Sequence, residues 1–276
     1  MKRKDQYKLI LFSSILIGFL IVYLIYHLNL SVIRESYNEI HGMDLVVIIM
    51  LIRITILFGN AMYMLYKWFK QEEQYLSDIP FLFALFFILL TIGKAFDLFF
   101  NFTYRYFSES LNLVVIKLRF FIIIFTVLPL IYLSITMILY YLSLRAKFQK
   151  LGDEKFKNKV SLILVLIILM VESIAVIIVP NTSSISILLP AVVIPSLLVI
   201  IWLFAFSYKN KRLSQVNSFI LMIGFGLYLI SQIIRPIIQN IVGENTFYIN
   251  IVEIIDLIIF IVIFIGFYLE AKYEIE

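Results

Sequence analysis

Residues 160–179 read VSLILVLIILMVESIAVIIV, twenty positions that hold one charge, Glu172, and show no alternation of polar with apolar side chains. A helix needs about 20 apolar residues to cross a hydrocarbon core roughly 30 Å thick, and this stretch supplies them almost without interruption. A membrane β-strand is about half as long and alternates inward and outward residues, so a barrel is excluded and helices are expected throughout. On the C-terminal side, Pro180, Asn181, Thr182 and two serines form a short polar break before another apolar run over 185–206. Residues 160–206 are too many for one span, so the region predicts two helices joined by a tight hairpin.

Working outward, the same criterion gives spans at 9–30, 45–68, 79–100, 120–144, 160–179, 185–206, 219–238 and 247–268. The expected fold is all-α: a polytopic transmembrane helical bundle of eight spans, with seven as the alternative count, in a single integral membrane domain over 1–276. Span four is expected to have an interfacial lead-in from near Leu111, carrying Lys117 and Arg119, and a kink at Pro129. Composition agrees: of 276 residues, 63% are hydrophobic and 15% charged, with a mean hydropathy of +1.03. Little chain is left for a soluble catalytic domain, and the basic pI of 9.2 reflects loop placement rather than nucleic-acid binding.

Orientation follows from the loops. Sixteen of the 23 Lys and Arg residues fall on one side, including Lys2, Arg3, Lys4 and the Arg145–Lys159 cluster, against Arg34, Arg105, Lys117 and Arg119 on the other. By the positive-inside rule both termini are expected in the cytoplasm of a cell-membrane protein, as an even span count requires. The first apolar run is expected to stay as a signal anchor, since it is long and lacks a cleavage site, and no output domain is expected beyond the last span. Trp68, Tyr140, Tyr141, Tyr208 and Tyr268 are expected in an inner aromatic belt, with Tyr23, Tyr26, Tyr104 and Tyr248 in an outer one. Asn29, Asn101 and Asn181 each open a glycosylation tripeptide on the expected outer side.

The informative residues are ionisable groups inside spans, each costing about 2.5–3.5 kcal/mol at a helix centre on insertion scales. These are Arg53, Lys94, Asp97, Glu172, Arg235, Glu253 and Asp256. Counting about 1.5 Å per residue from each outer span end puts Arg53 and Asp256 deepest at roughly 12 and 13 Å, with Asp97 and Arg235 within roughly 5 Å of the boundary. All seven fall in the outer half. Lys94 with Asp97, Gln232 with Arg235, and Glu253 with Asp256 are three apart and share helix faces, and Asn60 follows Arg53 by seven. The pattern points to an outward-facing polar site sealed beneath by apolar packing. Against it stand snorkelling of Lys94 and Arg235 to the headgroups and simple ion pairing between helices. Pro190, Pro195, Pro236 and the Gly224–Gly226 step are expected to serve packing or bending near that site.

Chemistry is bounded mainly by what is missing. With no cysteine and two separated histidines, His27 and His41, the chain has no material for disulfides, Fe–S clusters or common zinc sites. No nucleophile elbow, zinc-protease or phosphate-loop motif occurs, so no catalytic residue, metal or cofactor is expected and an enzyme is the weakest reading. The favoured reading is receptor-like sensing of a small polar or charged ligand from the outer side, a zwitterion or small organic ion suiting a site of both signs. Signalling would then pass to a cytoplasmic or membrane partner, through Arg145–Lys159 or Ser207–Asn217. The competing reading is a secondary transporter or ion-coupled carrier, which intramembrane carboxylates also fit. Partners beyond these are the lipid bilayer, with no nucleic acid.

Overall fold

The computed structural model of the protein describes residues 3–211, 213, 215–243 and 245–270, excluding the side chains of 3–6, 182–192 and 240. Lys2, Arg212 and Lys272, counted above in the loop asymmetry, and the Pro190 ring lie outside that description. Every regular element among the described residues is helical: α1 (Arg3–Leu28), α2 (Leu30–Glu39), α3 (Met43–Lys70), α4 (Ile79–Thr103), α5 (Glu109–Ser143), a 3-10 segment (Ala146–Gly152), α6 (Glu154–Ile178), α7 (Thr182–Lys209), α8 (Ser218–Val242) and α9 (Thr246–Tyr268). Among the described residues, apolar stretches long enough to cross a membrane occur in seven of these helices, namely α1, α3, α4, α5, α6, α8 and α9, and the fully described part of α7, Val193–Lys209, is apolar as well. The expected break at 180 is present, since α6 stops at Ile178 and α7 starts at Thr182.

Span four begins early, as the lead-in expected from near Leu111 suggested: α5 runs 35 residues from Glu109, and Pro129 lies inside it without interrupting the helix. The short α2 was not anticipated. Its sequence LSVIRESYNE puts Ser36 on a buried face and keeps Arg34 and Glu35 polar, a one-sided pattern too short to register as a span.

The chain divides into two compact units, Met1–Thr126 with Val179–Ile185, and Val127–Ile178 with Ser186–Glu276, the boundary falling inside α5. In the first, α3 and α4 pack through aromatic and small residues. Trp68 is fully buried against Phe81 at 4.7 Å, and its indole Nε1 donates to the Asp78 carboxylate at 3.0 Å. Asp78 also accepts from the Tyr75 amide at 2.9 Å, immediately before Pro80 in the first turn of α4. Trp68 is therefore a core residue that organises the α3–α4 turn, and its expected place in a lipid-facing belt is corrected.

In the second unit α8 and α9 form an antiparallel hairpin with close backbones. A Cβ added at Gly224 would sit 2.7 Å from the Ile263 side chain, and one at Gly266 would sit 2.8 Å from Leu221. Small residues at such points let transmembrane helices approach. Asn217 and Asn245 cap α8 and α9 by accepting from the Ile220 and Tyr248 amides at 3.2 and 2.9 Å. Gly243, at φ +81, ends α8 in a conformation that side-chain-bearing residues rarely adopt. This hairpin is apolar and tight near Gly224 and Gly266, and turns polar toward Gly243 and Asn245.

Candidate functional site

In the first unit a charged cluster lies toward the C-terminal end of α4 and the N-terminal end of α5. Lys94 and Asp97 share a face of α4, as their spacing requires, and form an ion pair of 2.8 Å with little exposure on either side chain. Asp97 also pairs with Arg119 of α5, whose guanidinium lies over the Phe100 ring at 5.8 Å. Arg53, on α3, is fully buried and close enough for its charge to act on Asp97. Asn60, two turns further along α3, is buried as well.

The cluster rests on an apolar floor. Phe96, Phe99, Phe100 and Val115 form a buried core that Ile25, Tyr26 and Ile33 pack against. Tyr26 of α1 donates its hydroxyl to the Ala95 carbonyl at 2.7 Å, beside the ion pair. Asn101, on the next turn of α4, donates to the Met50 sulfur at 3.6 Å, and Thr103 is fully buried. Two expectations change here. Tyr26 is a helix-to-helix contact at the charged cluster rather than an outer-belt anchor, and the Asn101 tripeptide lies within a packed helix end, unsuited to glycosylation.

In the second unit the cluster is carried by α8 and α9. Asp256 is fully buried, accepts from the Ser231 hydroxyl at 2.9 Å and pairs with the Arg235 guanidinium, whose side chain is 20% exposed. The Tyr248 hydroxyl donates to the Arg235 carbonyl at 3.3 Å, and the buried Glu253 carboxylate acts on Arg235 from α9. Asn250, Glu253 and Asp256 recur every third residue along the buried face of α9. Glu172 is separate from this group: it is half-buried on α6, a helix most of whose apolar residues are exposed, and its Oε2 has no hydrogen-bond partner.

The structure thus places four of the seven expected residues in ion pairs, with Arg53 and Glu253 beside them and Glu172 apart. Snorkelling of Lys94 and Arg235 is not what is found, since both turn toward a carboxylate. For Arg235 the reason is geometric. The helix α8 continues to Val242, four residues past the expected end at 238, so Arg235 lies about 10 Å below its helix end and Asp256 about 15 Å below the start of α9. That difference of about 5 Å is within the reach of an arginine side chain, whereas the expected span ends put the two about 8 Å apart in depth.

Sequence reasoning left Arg119 out of the site: it stood one residue outside span four, on the lead-in expected from near Leu111, and was counted as an outer-side cation. Including Arg119, the intramembrane set holds four cations and four carboxylates, so the charges balance. It also missed Ser231 and Asn250, although Asn250 continues the Glu253–Asp256 spacing by one step. Among the described residues no group of His, Cys, Asp and Glu could hold a metal ion. What the arrangement offers is paired, desolvated charge between neighbouring helices, able to exchange a protein partner for a ligand's opposite charge. Compared with known proteins, the chain matches no family model, no curated sequence and no solved structure.

Proposed function

We propose that this multi-pass membrane protein is a receptor-like binding protein, in which the intramembrane charges receive a small polar or charged solute from the outer side. The observation that carries this reading is the form of the ion pairs. Lys94–Asp97–Arg119 ties α4 to α5 and Arg235–Asp256 ties α8 to α9, so a ligand charge that competes for either carboxylate changes how two helices are held. A ligand shifts a conformational equilibrium only through such differential contacts. Both termini are placed in the cytoplasm on the loop charges, and the response passes to a separate membrane or cytoplasmic partner. The largely exposed segment 144–159, with Arg145, Lys147, Lys150, Lys155 and Lys159 on its surface, supports that route.

A secondary carrier is the second reading, and Glu172 favours it: an intramembrane carboxyl whose Oε2 lacks a hydrogen-bond partner suits proton or cation coupling. Against it, the opposite half of each span lacks charged residues for an inner half-path. The test is thermal unfolding of the full chain in nanodiscs against amino acids, organic ions, nucleosides and metal ions at several pH values. A binder must stabilise the folded state. A compound that raises the unfolding temperature in the native protein, with no rise in Asp256→Asn or Arg53→Gln over their own baselines, supports the reading. Uptake of that compound into proteoliposomes would assign it to a carrier instead, and no effect from any compound refutes both.

A further inference from the structure

We infer that the Gln232–Arg235 turn of α8 and the Asn250–Glu253 turn of α9 form a subsite for a small zwitterion bearing a carboxylate and an ammonium group, such as an α-amino acid. The inference rests on the binding reading above and names the ligand class. On α8, Arg235 commits one terminal nitrogen to Asp256, but its Nε is buried with no hydrogen-bond partner, and so is the Gln232 Nε2. The two donors are three residues apart and so lie on one helix face. On α9, the Asn250 Oδ1 is a buried acceptor, also without a partner. The bonds Ser231 to Asp256 and Tyr248 to the Arg235 carbonyl set the register, bringing Arg235 alongside the 248–256 stretch that contains Asn250 and Glu253.

Buried polar atoms are almost always satisfied, and three unsatisfied ones on facing turns of one hairpin call for an explanation from outside the chain. Their polarity says what would satisfy them. A carboxylate accepts from Gln232 Nε2 and Arg235 Nε, while an ammonium group donates to Asn250 Oδ1 in the negative field of Glu253 and Asp256. A simple anion meets those two carboxylates as like charges, and a simple cation leaves both α8 donors without an acceptor. A zwitterion satisfies both sets and adds no net charge to a low-dielectric site.

The experiment uses the full chain in nanodiscs with each proteinogenic L-α-amino acid, its N-acetyl derivative and its carboxamide. At about 100 times its Kd a fitting amino acid is expected to raise the unfolding temperature by roughly 5–10 °C, and loss of either charged group is expected to abolish the rise. Gln232→Met and Asn250→Leu remove unsatisfied buried atoms at nearly constant volume, so the unliganded variants should unfold at or above the native temperature while losing the amino-acid shift. Should either variant not fold, the analogue series on the native chain decides. Equal stabilisation by an N-acetyl derivative or a carboxamide, or a shift that persists in both variants, overturns the inference. Stabilisation by another class of compound, dependent on Asp256, overturns the zwitterion and leaves the binding reading intact; silence from every class removes both.

Discussion

Replacing Asp256 by asparagine keeps the shape of the side chain and removes the charge that holds Arg235. The carboxylate is fully buried and Arg235 is only 20% exposed, so the substitution strands a largely desolvated guanidinium. Breaking a buried pair from one side costs about 3–5 kcal/mol. The lower end applies, because the remaining exposure lets Arg235 recover some hydration and the asparagine oxygen still accepts from Ser231. About 3 kcal/mol, at roughly 2–4 °C per kcal/mol for a chain of this size, lowers the unfolding temperature by about 6–12 °C. The double variant Asp256→Asn/Arg235→Gln removes both charges and is expected to recover to within about 1 kcal/mol of the native protein, since neutral replacements of a buried pair are often tolerated. Thermal unfolding of all four proteins in nanodiscs closes the cycle. A single variant that unfolds within about 2 °C of the native chain, or losses that simply add in the double, would refute the view that Asp256 neutralises Arg235 inside the protein.

In the first unit Asp97 serves two cations, so Asp97→Asn is expected to cost about 3–5 kcal/mol, whereas Arg119→Gln, which removes a side chain one-third exposed and leaves Lys94 paired, costs about 1 kcal/mol or less; denaturant titration of both compares them. Gly266→Ala pushes a methyl group into Leu221 and is expected to destabilise by about 1–3 kcal/mol, while Gly226→Ala meets nothing within 4 Å and is expected to be neutral or stabilising by up to about 1 kcal/mol. Outside the spans, Tyr106 donates to Glu39 at 2.6 Å, and that bond, with some burial, pushes the phenol up to about 12. Because the folded value lies above the unfolded one, its contribution is complete below about pH 10 and fades as pH rises through about 12. Tyrosinate absorbance, differenced against Tyr106→Phe, should show Glu39→Gln titrating closer to 10.

Span number and type were legible because nearly every helix is a long apolar run bounded by polar loops, a signal set by bilayer thickness and independent of tertiary detail. What failed was local. Arg119 was misassigned because a span edge drawn at the last charge excludes any cation that the helix carries inward, and Arg235 seemed shallow because α8 runs past Ile238 through the still mostly apolar Ile241 and Val242. The i,i+3 pairs predicted Lys94–Asp97 correctly, since both residues lie on one helix. Pairing across helices, such as Arg119 with Asp97 or Ser231 and Arg235 with Asp256, depends on which helices are neighbours and at what register, and no single-helix periodicity contains that. Trp68 and Tyr26 show the same limit from the aromatic side. Proximity to an expected interface suggested anchoring, whereas hydrogen-bond partners at Asp78 and Ala95 draw both rings into the protein.

If the intramembrane charges belong to a site reached by solutes from outside, that site is open to water-soluble reagents from the same side. Because the chain contains no cysteine, a single Gln232→Cys substitution reports directly. In intact cells, a membrane-impermeant thiol reagent added externally is expected to label Gln232→Cys, a half-buried position, while Glu72→Cys, exposed between α3 and α4 on the side expected to be cytoplasmic, stays unlabelled. Absence of labelling at position 232, or labelling only when the reagent is given to inverted vesicles, would contradict an outward-facing site.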